Sequence, residues 1–270
     1  MKFRTNAVIG GTLVGSVVIM ALLSTVWTPF SPLKLNLRMR LKPPTSLHWL
    51  GTDEFGRDIL SRLLAGAGAS LLVAALTVLV ALLLGTLLGL VAGYFRGKTD
   101  RVMMVLNDAL LAFPGILLAL GIMVVTGANQ YGIVLALGLA YTPTVVRLVR
   151  GTVLSLREKE FVEASRVIGN SELVTMLRHI LPNCAAPLMV LGTSMFGWVV
   201  LAESALSFLG LGVPPPAPTW GNMLSSGRPY MESAAWLGIA PGLCIAMTLL
   251  GINLLGDALR DWLDPRMEQR

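Results

Sequence analysis

Residues 70–94 read SLLVAALTVLVALLLGTLLGLVAGY, a stretch with no acidic or basic side chain. A helix needs about 20 residues at ~1.5 Å rise each to cross roughly 30 Å of hydrocarbon, and this run exceeds that length. Backbone groups in lipid must be satisfied within their own segment. The run is also far too long and too continuously apolar for a barrel strand, so it reads as a membrane-spanning helix. Working outward, five further runs of the same kind lie at about 7–27, 109–126, 132–148, 187–202 and 234–255. The expected fold is all-α and polytopic, with about six transmembrane helices.

Composition agrees with this reading. The chain is 54% hydrophobic and 13% charged, with a mean hydropathy of +0.73; soluble domains carry about a quarter charged residues. The first run follows Lys2 and Arg4 but is about 20 residues long, beyond a signal-peptide core, and ends at Thr25-Val26-Trp27 without a small-x-small site, so it is read as an uncleaved anchor. Placing the amino terminus in the cytoplasm puts Lys2, Arg4, Arg96, Lys98, Arg101, Arg147, Arg150, Arg157, Lys159, Arg166, Arg178, Arg260, Arg266 and Arg270 on that side, fourteen of twenty-one Lys and Arg. Six of the other seven, Lys34, Arg38, Arg40, Lys42, Arg57 and Arg62, sit in one connection between the first two spans and oppose the pattern. The net charge of +6 then describes loop topology and contact with anionic headgroups of the bilayer, with no nucleic-acid partner. Cys184 and Cys244 fall at the edge of the fifth span and inside the sixth, which suits packing residues rather than a disulfide. His48 and His179 are on opposite sides and share no metal site, and no metal is expected.

The chain divides into a cytoplasmic tip and anchor (1–27), an outer connector (28–69), a five-helix body (70–257) that includes a cytoplasmic region at 151–186, and a cytoplasmic tail (258–270). In the connector, Phe55, Ile59, Leu60, Leu63 and Leu64 recur at helical spacing between Asp53, Arg57, Asp58 and Arg62, which predicts a separate interfacial helix capped by Thr52 or Asp53. Pro114, Pro143 and Pro241 fall within spans and are expected to bend them. Gly85, Gly89 and Gly93 form a small-xxx-small stripe suited to close helix approach.

The exception to this apolar pattern is a charged, helix-forming island, Glu163-Ala164-Ser165-Arg166-Val167-Ile168-Gly169, followed by Arg178-His179-Ile180-Leu181-Pro182-Asn183. Such an island faces water. Phe161, Ala164, Ser165 and Ile168 fall on one face of the first helix, and Gly169 stands where a helix ends. Asn170 or Ser171 can cap a second helix in which Leu173, Met176, Leu177 and Ile180 share a face, before Pro182 turns the chain back toward the bilayer.

In residue order this island resembles the signature of binding-protein-dependent ABC importer permeases: Glu-Ala-Ala, three residues, Gly, then a distal Ile and Leu-Pro. The similarity is to the dipeptide, oligopeptide and nickel branch, and to its second permease subunit. It extends over nearly the whole chain, through Leu50-Gly51-Thr52-Asp53, Gly56-Arg57-Asp58, Ser61-Arg62, Ala112-Phe113-Pro114, Glu203, Leu206 to Gly212, Thr219-Trp220-Gly221, Asn253 to Asp257 and Leu263-Asp264-Pro265. Ser165 replaces the second alanine of the general pattern, and His179 stands where Ile is usual.

The resemblance implies a type I importer permease fold and a coupling helix seated in a groove of an ATP-hydrolysing subunit. It assigns ATPase coupling to Glu163, Ala164, Ser165, Gly169, Leu181 and Pro182. Glu203 and Phe208, by their place near the outer end of the fifth span, and Asn253 in the sixth are the residues expected at a translocation path or gate. The resemblance implies as partners a homologous second permease subunit, two ABC ATPase subunits and an extracytoplasmic substrate-binding protein, in a bacterial inner membrane. The cargo expected first is a di- or oligopeptide; nickel, a metal chelate or another small solute is the alternative.

No cofactor is expected on this chain, with ATP and Mg2+ held by the ATPase partners, and no catalytic residue is expected. Residues 93–99, Gly-Tyr-Phe-Arg-Gly-Lys-Thr, miss the phosphate-loop pattern because Ala92 stands where its first glycine belongs, and they follow a membrane helix rather than a strand. A secondary transporter would place charges at span centres and show an internal repeat. A membrane hydrolase would carry a His-Glu-x-x-His run, a Gly-x-Ser-x-Gly elbow or paired intramembrane aspartates. None of these occurs in the sequence.

Overall fold

The computed structural model describes residues 2–127 and 129–263, with side chains from Thr5 onward. The expected motif residues Asp264 and Pro265, the basic residues Arg266 and Arg270 and the end of the tail lie outside the described residues. Helices α1 Lys2–Val26, α2 Ile59–Phe95, α5 Gln130–Leu156, α8 Ala185–Phe208 and α10 Trp236–Leu263 carry the long apolar runs. Five helical segments are long and apolar enough to cross a membrane, or six if the bent pair α3 Gly97–Leu111 and α4 Gly115–Thr126 makes one span.

That pair departs from the expected continuous run over 109–126. The chain breaks between the two helices and turns by 95°. Pro114 does not kink a helix here; it is the amino-terminal cap residue of α4, where its missing N–H costs nothing. Pro143 and Pro241 do lie inside helices, α5 and α10.

Helix α2 is the axis of the bundle, and the glycine stripe explains why α5 lies so close along it. A Cβ on Gly89 would stand 2.7 Å from the Val149 Cβ, and one on Gly93 2.8 Å from that of Val153; Gly85 faces Val145 in the same way. Three glycines at four-residue spacing thus receive three valines at four-residue spacing, a backbone approach that any side chain would prevent. Helix α1 packs on α10 by the same device, with Gly10 against Gly251. The short helix α3 is tied to α5 by ion pairs: Arg150 Nε and Nη2 donate to Asp100 Oδ1 and Oδ2 at 2.5 and 2.7 Å, and Arg147 Nη2 to Asp108 Oδ1 at 2.7 Å.

The expected interfacial helix over 51–64 is replaced by two different structures. Residues 51–58 form a turn closed by an isolated bridge between Thr52 and Asp58, with Gly51 and Gly56 at φ of +78° and +72°. The apolar residues from Ile59 onward are the first turns of α2 itself. Its cap is Asp58, not Thr52 or Asp53: Asp58 Oδ2 accepts from the Ser61 N–H and Oγ at 2.8 and 2.7 Å. Asp53 instead folds the turn, with Oδ1 accepting the N–H groups of Phe55 and Arg57 at 2.9 Å and Oδ2 accepting from Arg57 Nε at 2.6 Å. Arg62 Nε also approaches Asp53 Oδ2, at 3.5 Å. Helical spacing of the apolar positions was a true signal for α2, but the carboxylates were drawn into loop and cap geometry that periodicity does not encode.

This network bears on the charge pattern. Arg57 and Arg62 are buried beside a buried Asp53, with Glu54 also on Arg57, so two of the six connector cations that oppose the expected topology are engaged inside the protein.

Candidate functional site

The charged island folds into a sharp elbow between α5 and α8. Helix α6, Glu160–Val167, begins with Glu160 and Glu163 in its first turn and ends with Arg166 in its last, the arrangement that complements a helix dipole. It stops at Gly169, whose φ of +90° is the left-handed conformation that only glycine adopts at little cost. The Gly169 N–H bonds the Arg166 carbonyl at 2.9 Å and the Asn170 N–H bonds the Ser165 carbonyl at 3.2 Å, the paired bonds of a Schellman stop. Ser171 then caps the next segment, its Oγ accepting from the Val174 N–H at 3.4 Å.

Pro182 does not turn the chain back. From α7, Glu172–Val174, the helix continues through a wide turn at Thr175–Ile180 and a tight one at Leu181–Cys184 directly into α8. Pro182 sits in the first positions of the tight turn, where proline is tolerated, and Asn183 Nδ2 donates to the His179 carbonyl at 2.7 Å where the winding changes. Of the four residues expected to share a face in the second segment, Met176 and Ile180 are buried, whereas Leu173 and Leu177 are exposed.

The inward face of α6 is narrower than expected. Val162 and Ser165 are buried, and Phe161, Ala164 and Ile168, expected beside Ser165, point outward. Ser165 Oγ lies 3.0 Å from the buried Thr175 Oγ1 and accepts from Asn170 Nδ2 at 3.1 Å. The serine therefore clasps the two arms of the elbow. Arg166 and Arg157 place their guanidinium carbons 5.2 and 5.8 Å from the ring centroid of Tyr94 at the end of α2, and Arg96 Nη2 donates to Glu158 Oε1 at 2.6 Å. The Arg96 guanidinium holds the Glu158 carboxyl below its ordinary pKa. These contacts connect the elbow to the membrane helix that forms the axis of the bundle. Tyr94 and Thr175 went unnoticed in the sequence because an aromatic at a span end and a threonine in a polar loop carry no signal of their own.

The outward face is left open. Val167 is 82% and Ile168 78% exposed, with Glu163, Ala164 and Gly169 exposed alongside them. Leu181 is half-buried and Pro182 exposed. Large apolar side chains therefore stand exposed beside an acid on this elbow, the kind of surface that protein partners commonly cover.

The three residues expected to line a path are not brought together. Glu203 is 1% exposed in α8; its Oε1 accepts from Ser207 Oγ at 2.8 Å, and its Oε2 has no hydrogen-bond partner among the described residues. It is enclosed where α9, Trp220–Gly227, presses on α8: a Cβ on Gly221 would meet the Ser204 Cα at 2.8 Å. Phe208 is exposed at the end of α8 beneath the Arg228 guanidinium, 4.9 Å from its ring centroid. Asn253 is exposed on α10 and lies near Gly197, six residues before Glu203 and so about 9 Å away along the α8 axis. Residues 93–99, the near miss to a phosphate loop, form a corner between α2 and α3.

Residues 85–269 match the family described as the inner membrane component of binding-protein-dependent transport systems. The chain belongs to this family. It is 42% identical over 268 residues to a dipeptide transport system permease protein of Alkalihalophilus pseudofirmus, covering 99% of this chain and 88% of that one. It is also 42% identical to a di/tripeptide transport system permease protein of Pseudomonas aeruginosa, covering 98% and 90%. A glutathione transport system permease protein of Escherichia coli is 44% identical over 225 residues, covering 83% and 74%. Among solved structures, an inward-facing MetNI methionine ABC transporter chain superimposes with a TM-score of 0.63 at 17% identity, over 75% of this chain and 96% of that one. The last likeness establishes the type I ABC importer permease fold, with the elbow as the break between two spanning helices of an inner membrane component.

Proposed function

We propose that this chain is a permease subunit of an ATP-driven importer that moves a di- or oligopeptide across the bacterial inner membrane. The observation that carries the reading is the elbow: a clasped inner side joined to α2, and an outer side whose Val167, Ile168, Ala164 and Glu163 are uncovered. An ATPase subunit docked there and closing around ATP would push on α6, and the Ser165–Thr175 clasp and the Arg166–Tyr94 stack would pass that displacement to α8 and α2. Glu163, Ala164 and Gly169 form the docking side, Ser165 the transmitting side, and Leu181 and Pro182 the hinge into α8. ATP and Mg2+ belong to the two ATPase partners. The peptide cargo is inferred from the names of the relatives.

The reading places both termini in the cytoplasm, the anchor at 1–27, the connector outside, and the basic loops around Arg96 to Arg101 and Arg147 to Arg178 inside. Burial of Arg57 and Arg62 supports that orientation. A homologous second permease would complete the path against the side of α8 and α10, where a groove of about 540 Å3 is lined by Leu148, Pro187, Val190, Ser194, Trp198 and Arg260. Asn253 and Asp257 are exposed on α10, about two turns and one turn before Arg260 respectively. Phe208 then stands at the outer end of the path, and Glu203 is enclosed where the outer segment packs on α8.

The test is uptake of a labelled dipeptide by proteoliposomes holding this chain, the second permease and the ATPases. Transport that requires ATP and the soluble binding protein supports the reading; uptake by this chain alone refutes it. Competition by an excess of unlabelled peptide, against Ni2+ or a metal chelate, identifies the cargo class.

A further inference from the structure

The outer surface carries a charge imbalance that the internal network creates. The connector 28–58 contains three acids, and each is engaged inside: Asp53 with Arg57 and Arg62, Glu54 with Arg57, and Asp58 with His48. Four cations of the same connector, Lys34, Arg38, Arg40 and Lys42, are exposed and form no ion pair among the described residues. Arg40 reaches across to the Tyr230 hydroxyl at 3.3 Å, and Arg228, two residues from Tyr230, is a fifth exposed cation. The remaining outer loops at 127–131 and 209–235 add only one acid, Glu232.

We infer that Lys34, Arg38 and Lys42, with Arg40 and Arg228 beside them, are the docking surface for an acidic face of the soluble substrate-binding protein, an assignment that rests on the orientation and binding-protein dependence proposed above. Charge complementarity selects the partner's sign. Rigidity selects a protein over lipid headgroups. The segment is held by backbone bonds from Asn36 to Phe55 at 3.0 Å, from Leu41 to Asp53 at 3.0 Å and from Thr52 to Lys42 at 3.0 Å, and by the Lys42 N–H on Thr52 Oγ1 at 2.9 Å. It therefore presents a fixed pattern of charges, with Leu35, Leu37 and Trp49 exposed nearby, and association needs little further ordering. A membrane-surface segment would be an amphipathic helix with one continuous apolar face, and this one is irregular.

The experiment uses the complete transporter in discs of phosphatidylcholine and, as probe, the purified dye-labelled binding protein of the same system. Its affinity is titrated at several salt concentrations for the wild type and for Lys34→Gln/Arg38→Gln/Lys42→Gln. The expected result is a wild-type affinity that falls with salt and a variant that binds roughly tenfold more weakly at low salt, with slower association and a flatter salt dependence. Hydrolysis of ATP without the binding protein, and recovery of the ATPase subunits with the complex, stay at wild-type levels. Equal affinities in variant and wild type overturn the assignment, as does a wild-type affinity indifferent to salt, which needs no variant at all. A difference seen only in discs containing phosphatidylglycerol overturns it too, because anionic headgroups are then the occupant. Failure of the proposed function itself is separately visible, as a wild-type complex that neither retains ATPase subunits nor hydrolyses ATP.

Discussion

Replacing Gly169 by alanine isolates the role of the elbow's shape. Nothing lies within 4 Å of where the new Cβ would be, so the substitution adds no clash and removes no side-chain contact. Its whole effect comes from φ, which is +90° in the folded turn. Holding a non-glycine residue in the left-handed region costs roughly 1–2 kcal/mol. Two backbone hydrogen bonds close this turn, and each contributes about 0.5–1.5 kcal/mol net, so the strain is of the same size as what holds the elbow. The population of the closed turn should fall by about 5- to 30-fold relative to its opened forms. In the assembled transporter this predicts weaker retention of the ATPase subunits and fewer peptides imported per ATP hydrolysed, with membrane insertion unchanged. Gly169→Asn should fall between, because asparagine tolerates the left-handed region better than alanine. The readouts are co-purification and the ratio of uptake to hydrolysis in proteoliposomes. If alanine and asparagine both match the wild type in the two measurements, the turn geometry does not matter to coupling.

Three other substitutions test separate parts of the structure. Gly89→Ala should lower the melting temperature of the detergent-solubilised protein by the equivalent of about 1–3 kcal/mol, since its Cβ meets Val149 at 2.7 Å, whereas Gly121→Ala, with nothing within 4 Å, should not. Ser165→Ala leaves the buried Thr175 hydroxyl without its side-chain partner and should cost about 1–3 kcal/mol of local stability, read as faster amide exchange across α6; adding Thr175→Val should restore much of the loss, and a double variant worse than the single would refute the clasp. Burial raises the Glu54 pKa, opposed by a backbone hydrogen bond and by Arg57. A carboxyl whose folded pKa lies above its unfolded value loses stability as pH rises past about 4.5. Glu54→Gln should therefore be more stable than the wild type at pH 7, with the difference closing as pH falls through the raised pKa; a difference that grows on acidification would reverse the sign.

The spans were legible because lipid leaves the backbone no alternative, so length and lack of charge nearly suffice. The stripe of Gly85, Gly89 and Gly93 was legible for the same reason, since four-residue spacing of small residues has one steric meaning in a helix pair. What escaped were decisions made between segments. Pro114 breaks one apolar run into two helices, and Pro182, chemically identical, is absorbed into a helix because it falls in the first positions of a tight turn. Thr52 and Asp53 were the caps expected for a helix near residue 53; that Asp58 caps while Asp53 folds the loop depends on where Arg57, Arg62, His48 and Ser61 sit in space. At the elbow, Gly169 declared the stop, but the orientation of α6 could not be read from its own eight residues. Phe161, Ala164, Ser165 and Ile168 share a stripe by spacing, and only the position of Thr175 shows that Ser165 alone of these turns inward.

That rotation gives the elbow its two faces, and it constrains how any force on it is delivered. The outward stripe is exposed, so a partner gripping Val167, Ile168 and Ala164 would push on α6 before it disturbs the bundle. The inward stripe is small, the side chains of Val162 and Ser165, yet α6 reaches two different helices: through Ser165 and Thr175 to the arm that continues into α8, and through the neighbouring Arg166 and Tyr94 to α2. Helix α2 is locked to α5 by interdigitated glycines and valines along its length and cannot bend easily, whereas the arm below α8 passes through two turns of irregular pitch at 175–184. A displacement of α6 should thus be absorbed first as a change of winding in that arm, rotating α8 relative to the α2–α5 pair. Paired spin labels on α8 and α5 test this: their separation should change with nucleotide on the ATPase partners while a pair on α2 and α5 stays fixed, and a shift in the second pair of equal size would put the hinge elsewhere.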